Sequence, residues 1–158
     1  MSTVTLPYVC CELDPVIPAR TREIHQKLKA GTRESQAAPA AETLGLAINT
    51  LVDAFLTQLL RELAAAHPEH ALYQDALKVV EDIQGKVQHY LGWLTRFLSN
   101  ERMTVVAAQY LTMIQPLVAT QPQREFLAVR IEPVLAAHAR QTIAALHSGK
   151  SEDVRAGI

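Results

Sequence analysis

PEHALYQDALKVVEDIQGKVQHYLGWLTRFL, residues 68–98, carries Ala76, Val80, Ile83, Val87, Tyr90, Leu94 and Phe97 at alternating spacings of four and three. Apolar side chains at that interval share one side of an α-helix, and the seven-residue form of the repeat is a seam for packing on another helix. A helix of this span is about 45 Å long at 1.5 Å per residue, so it needs partners of comparable length. Pro68 fits its first turn, where the missing N–H has no intrahelical partner to lose. Gly85 and Gly92 lie seven apart on a stripe away from the seam. They are either surface positions or places where another backbone comes close.

Working outward, the sequence supplies such partners on both sides. Residues 41–66 place Leu44, Ile48, Leu51, Phe55, Leu59 and Leu63 on a helical period, with Val52, Leu56 and Leu60 widening the stripe. His67-Pro68 ends that helix. Ser99-Asn100 provides a stop and a new cap, and a third long helix is expected over 101–119. One face of it carries Met103, Ala107, Tyr110, Ile114 and Leu117, another Thr104, Ala108, Thr112 and Ala119, with a kink expected at Pro116. Thr120-Gln121-Pro122-Gln123 matches a capping box. A fourth long helix is therefore expected to run to His147, with Phe126, Leu127, Ile131, Val134, Leu135 and Leu146 inward and a kink at Pro133.

The N-terminal part reads differently. Residues 1–17 contain a β-prone run broken by Pro7, followed by Asp14-Pro15 and Ile17-Pro18, which points to an irregular arm and not to a strand in a sheet. A short helix over 18–30 ends at Gly31, and 32–40 is a polar linker. The expected fold is all-α: an up-and-down bundle of four long helices, with a short N-terminal helix and an irregular arm. Its domain spans 18–148, and 149–158 is a tail.

Composition limits the function. The 158 residues are 49 % hydrophobic and 20 % charged, with a net charge of −1. One core is affordable, some surface is expected to be covered by a partner, and nothing draws the whole chain to nucleic acid or anionic lipid. Charge is segregated: Arg20, Arg22, Lys27, Lys29 and Arg33 oppose only Glu23, whereas 34–82 is acidic. Attraction between helices of one bundle accounts for this better than a nucleic-acid-binding arm, which would need interleaved aromatics. Cys10 and Cys11 are adjacent and have no other cysteine to bridge. With no basic residue before Arg20 to start a secretory leader, a cytoplasmic setting is expected. Residues 103–123 are uncharged, but their threonines, glutamines and two prolines suit a helix buried in protein rather than lipid.

Chemistry is sparse. None of the six histidines has an acid three residues before it, so the Glu-x-x-His motif of carboxylate-bridged metal bundles is missing, and no metal or cofactor is expected. His67, Glu69 and His70 read as an exposed turn. Asp75, Asp82, His89 and Arg96 form a heptad-spaced row read as a solvated face. Neither a nucleophile elbow nor a Gly-rich phosphate loop is present, and Glu12 beside Cys10 and Cys11 disfavours a reactive thiolate.

Two functional expectations follow. The first is a non-enzymatic protein that associates with itself or another protein through the third or fourth long helix, with Thr104, Ala108, Gln109 and Thr112 on the uncharged 103–123 segment as interface residues. The alternative is a regulator that binds a small apolar ligand, with Tyr90, Trp93, Tyr110 and a core-facing His138 lining a pocket inside the bundle.

Overall fold

The computed structural model describes residues 7–117, 124–150 and 152. It is mostly helical: α1 (Val16–Lys29), α2 (Ala37–Val52), a π-helical turn (Asp53–Thr57), α3 (Gln58–Ala66), α4 (Ala71–Thr95), α5 (Asn100–Met113) and α6 (Pro133–His147). Three strands accompany them, β1 (Tyr8–Glu12), β2 (Ile114–Leu117) and β3 (Arg124–Arg130), in an antiparallel sheet ordered β1-β3-β2.

The first and second long helices stand where the apolar period places them. The π turn keeps α2 and α3 in one helical run, and buried Thr57 sits in it, its hydroxyl oxygen 3.4 Å from the Val52 carbonyl oxygen. The Ser99 hydroxyl accepts the Arg102 N–H at 3.3 Å, capping α5 as its sequence implies. Asn100 then ties the α1–α2 connection to α5, donating to the Thr32 and Glu34 carbonyls at 3.1 and 3.2 Å.

The sheet differs from the all-helical expectation in three segments. The third helix stops at Met113, not 119, because Pro116 cannot donate and biases Gln115 away from helical backbone. β2 is an edge strand, the place in a sheet that tolerates a proline. Residues 124–130 form a strand in place of the expected fourth helix, so Pro133 occupies the first turn of α6 and bends nothing. The capping box at 120–123 lies outside the described residues. The arm expected to be irregular over 1–17 is regular over most of its described part. β1 follows Pro7 directly and pairs Tyr8 with Arg130 and Cys11 with Leu127, and α1 already begins at Val16. Pairing across that much chain leaves no local trace.

Three small cores result. Leu13, Ile17, Ala47, Ile114 and Leu127 fill the space between the sheet, α1 and α2. Ile24, Leu28 and Met103 join α1 to α5. Leu63, Ala64, Tyr73 and Leu146 join α3, α4 and the far end of α6. The segregated charges are used internally: Arg20 donates to Glu42 at 2.7 Å, Arg22 pairs with Glu125, Arg61 reaches Glu81 at 3.3 Å, and Arg124 pairs with Glu12.

α4 lies on α2 through a seam other than the expected one. Tyr73, Leu91 and Thr95 are buried, and Leu77, Val80, Gln84, Val87 and Leu98 are half-buried. Of the expected seam only Val80 and Val87, with Ala76 at its margin, are partly covered; Ile83, Tyr90, Leu94 and Phe97 are exposed. α2 presents small residues to its neighbours, burying Ala41, Thr43, Gly45 and Ala47. Gly45 lets α4 come close, since a Cβ there would press on the Gln88 side chain. Gly85 and Gly92 meet nothing within 4 Å of a Cβ, so they are surface positions. Gly85→Ala and Gly92→Ala should each raise the unfolding free energy in urea by about 0.5–1 kcal/mol.

Candidate functional site

Three long apolar side chains of the C-terminal half of α4 lie in the open, Tyr90 (59 % exposed), Trp93 (57 %) and Leu94 (52 %), and Phe97 (68 %), two residues past its end, joins them. Leu72, Val79 and Ile83 continue the row toward the N-terminus and are exposed as well. At 3.6 residues per turn these positions fall on one stripe, about 110° around the helix from the face packed on α2. Trp93 and Phe97 meet edge to face with ring centres 5.0 Å apart. The rest of the α4 circumference is polar, with Lys78 bound to Asp75 at 3.2 Å and Lys86 to Asp82 at 2.5 Å.

Tyr110 belongs to a different place. It lines a cavity of about 110 Å³ between α1, α2, α5 and the end of α4. Its hydroxyl is buried without a hydrogen-bond partner among the described residues. Burial, and secondarily the Cys11 thiol, pushes the phenol above its ordinary pKa of 10.0. The Cys11 thiol is itself raised, by burial first and Glu12 second, so it is held as the neutral thiol.

The expected quartet is therefore not assembled. Tyr90 and Trp93 lie on the outer stripe and Tyr110 lines the cavity. His138 is exposed on α6, because the strand over 124–130 breaks the helical register that would point it inward. On α5, Thr104 and Ala108 are half-buried, whereas Gln109 and Thr112 are exposed, and Thr112 donates its hydroxyl to the Gln109 carbonyl at 2.6 Å. Thr104 likewise donates to its own helix, to the Asn100 carbonyl at 2.8 Å.

One constellation is not apparent from the sequence. His67, His70 and Tyr73 lie ring against ring, with centres 5.8 to 6.2 Å apart. They clasp the end of α6: Tyr73 donates to the Leu146 carbonyl at 2.9 Å, His70 Nε2 meets the Gly149 carbonyl at 2.7 Å, and His67 Nε2 meets the His147 carbonyl at 3.3 Å. Since carbonyls only accept, both imidazoles carry hydrogen on Nε2. The i, i+3, i+6 spacing of the rings is visible in the sequence, but their partners some 75 residues on are not. Among the described residues no three His, Cys, Asp or Glu side chains gather as metal ligands. The run Ala37–Ala66 is long and apolar enough to cross a membrane by length and composition. Comparison with known proteins finds no matching family model, no matching curated protein and no matching solved structure.

Tyr73→Phe should cost about 1–2 kcal/mol, because it leaves the Leu146 carbonyl without its buried donor. Both phenols resist ionisation when folded, Tyr73 through burial and then Glu69. The unfolded chain loses those protons first, so stability should decline as pH rises past 10.0, the ordinary value of each group. Urea unfolding at stepped alkaline pH should show this decline, and it should flatten in Tyr73→Phe.

Proposed function

We propose that this is a non-enzymatic, self-associating helical protein, whose partner is a second copy of the same chain bound along the outer stripe of α4. The observation that carries the reading is the exposed row Leu72, Val79, Ile83, Tyr90, Trp93, Leu94 and Phe97. Its three aromatics alone present on the order of 350 Å² to water. The four aliphatics take the patch beyond what a monomer ordinarily exposes, about 300–600 Å².

Charge order favours a second copy in antiparallel alignment. The row flanking the stripe runs Asp75, Asp82, His89, Arg96, acid to base along the helix. A two-fold axis near residues 85 and 86 brings Asp75 opposite Arg96 of the second copy and Asp82 opposite its His89. A two-fold contact meets itself in this way, residue i against j and j against i. The quarter-turn between the packed face and the stripe is the corner angle of a four-helix bundle. Two copies of the α2–α4 pair would then close such a bundle, with exposed Phe55 and Leu56 of the α2–α3 run near the second copy. The four-helix arrangement expected of one chain is thus proposed for two. Free Cys10 and Cys11 fit a cytoplasmic setting.

In sedimentation equilibrium the protein should be a dimer at micromolar concentration. Ile83→Arg, near the axis, should weaken the dimer at least roughly 100-fold while leaving the helical dichroism unchanged. Asp75→Arg should weaken it, and Asp75→Arg with Arg96→Asp should restore it. A strict monomer at millimolar concentration would refute the reading. So would a monomer that floats with lipid vesicles, an outcome that assigns the stripe to a membrane.

A further inference from the structure

We propose that the outer edge of β1 is a second docking surface, and that its occupant is β1 of another copy, paired antiparallel about a two-fold axis at Cys10. Hydrogen bonding in an antiparallel ladder alternates along each strand. Leu13 donates to the Glu125 carbonyl and the Pro7 carbonyl accepts from Ile131. In the register of β1 with β3, Pro7, Val9, Cys11 and Leu13 therefore face β3. Tyr8, Cys10 and Glu12 direct their N–H and C=O groups the other way, where no described strand pairs with them. The same parity closes the opposite edge of the sheet. Glu125 and Leu127 serve β1, so β3 meets β2 through Arg124 and Phe126, paired with Leu117 and Gln115. Ile114 and Pro116 are left outward, and a proline there has no N–H to offer. β1 carries no such guard. Its outward residues include no proline, its register runs without a bulge, and Tyr8, Cys10 and Glu12 are exposed.

The strand fits itself. An axis at Cys10 sets Tyr8 opposite Glu12 of the second copy and overlaps all five residues, with about six backbone hydrogen bonds between the copies. The residue on such an axis meets its own copy. At Cys10 two thiols meet, whereas an axis at Glu12 would set two carboxylates together. Arg130 lies beside Tyr8 on the exposed face and has no ion pair among the described residues. Two strand spacings, about 10 Å, separate it from Glu12 of the second copy, a span that arginine and glutamate side chains cover together. Glu12 keeps its bond with Arg124 of its own chain and has lone pairs for a second guanidinium. On the other face Val9, half-buried in one chain, comes opposite Cys11 of the second copy. Five residues make a small contact, so its dissociation constant is on the order of 0.1–1 mM. It uses no residue of the α4 stripe and stands whether or not that contact forms. Where both form, the chain assembles beyond a dimer.

Amide hydrogen exchange of the full chain, read residue by residue under reducing conditions, tests this. In dilute solution Val9 and Cys11 should be protected by β3 while Tyr8, Cys10 and Glu12 exchange freely. At millimolar concentration the second set should slow by roughly threefold or more, as the occupied fraction of the edge rises. Ile83→Arg, which acts at the α4 stripe, should leave that slowing intact, so the two contacts fail separately. Cys10→Pro removes only an outward N–H. It should abolish the slowing at Tyr8 and Glu12 and keep Val9 and Cys11 protected. If that variant does not fold, Cys10→Lys sets two ammonium groups together on the axis with the backbone unaltered, and should abolish the slowing too. Arg130→Glu should reduce it. Outward amides already protected in dilute solution overturn the proposal, because the chain's own residues then cover the edge. So do outward amides that exchange freely at millimolar concentration, and a slowing that survives Cys10→Lys or disappears in Ile83→Arg.

Discussion

A helix has one circumference, and α4 gives the side that meets the α2–α3 run to Tyr73, Leu77, Val80, Gln84, Val87, Leu91 and Thr95. Every other placement in this half of the molecule depends on that commitment. Gly45 permits the approach, and Gln84 fixes the register from both sides, donating to the Asn49 carbonyl at 3.3 Å and accepting from Thr57 at 3.3 Å. Polar bonds inside an otherwise apolar contact restrict how two helices can slide. With the register fixed, Ile83, Tyr90, Trp93 and Phe97 have no described part of the chain left to cover them. The exposed stripe is thus a geometric remainder of the α2 contact.

The sheet plays the corresponding role at the other end. β3 lies between β1 and β2, and the Leu127 side chain enters the same core as Leu13, Ile17 and Ile114. The Leu13 N–H extends the ladder to the Glu125 carbonyl at 2.9 Å, and the Ile131 N–H extends it to the Pro7 carbonyl at 3.1 Å. The exposed carboxylate of Glu12 is held below its ordinary range by the hydrogen bond from Arg124. α1 is then pinned on three sides, by the sheet, by Met103 of α5 and by the ion pairs of Arg20 and Arg22. Arg20 and Arg22 of the basic N-terminal cluster thus meet acids distant in the sequence, Glu42 and Glu125.

The helices are legible in the sequence because their signal is local. Residues 41–66, 71–95 and 100–113 repeat apolar side chains at helical spacing, and Ser99 announces its cap. The strands are not legible because β1 and β3 depend on one another. REFLAVR at 124–130 has enough leucine and alanine for a helix, and only an edge already formed turns it into a strand. α4 also holds two overlapping apolar seams, and its sequence does not say which will meet α2. The richer seam reads as the buried one, yet the seam containing Gln84 and Thr95 is buried instead. Of the candidate pocket residues, Tyr110 reaches a cavity because α5 is helical where its spacing implies. His138 does not, since its inward direction assumes a continuous helix through Ile131 and Val134. Of the clasp on α6 only the spacing of His67, His70 and Tyr73 shows in the sequence, because its acceptors are backbone carbonyls, which carry no residue signature.

The register of Tyr8 with Arg130 has a consequence for how the chain is made. On a ribosome the N-terminal segment emerges first, while the strand it pairs with is still more than a hundred residues from being synthesised. Closing so long a loop comes late and slowly. In the nascent chain α1 and the α2–α4 hairpin can coil early from local contacts. The Tyr8–Glu12 segment must wait with an unpaired edge, open to chaperones or to a neighbouring copy's strand, until β3 leaves the exit tunnel.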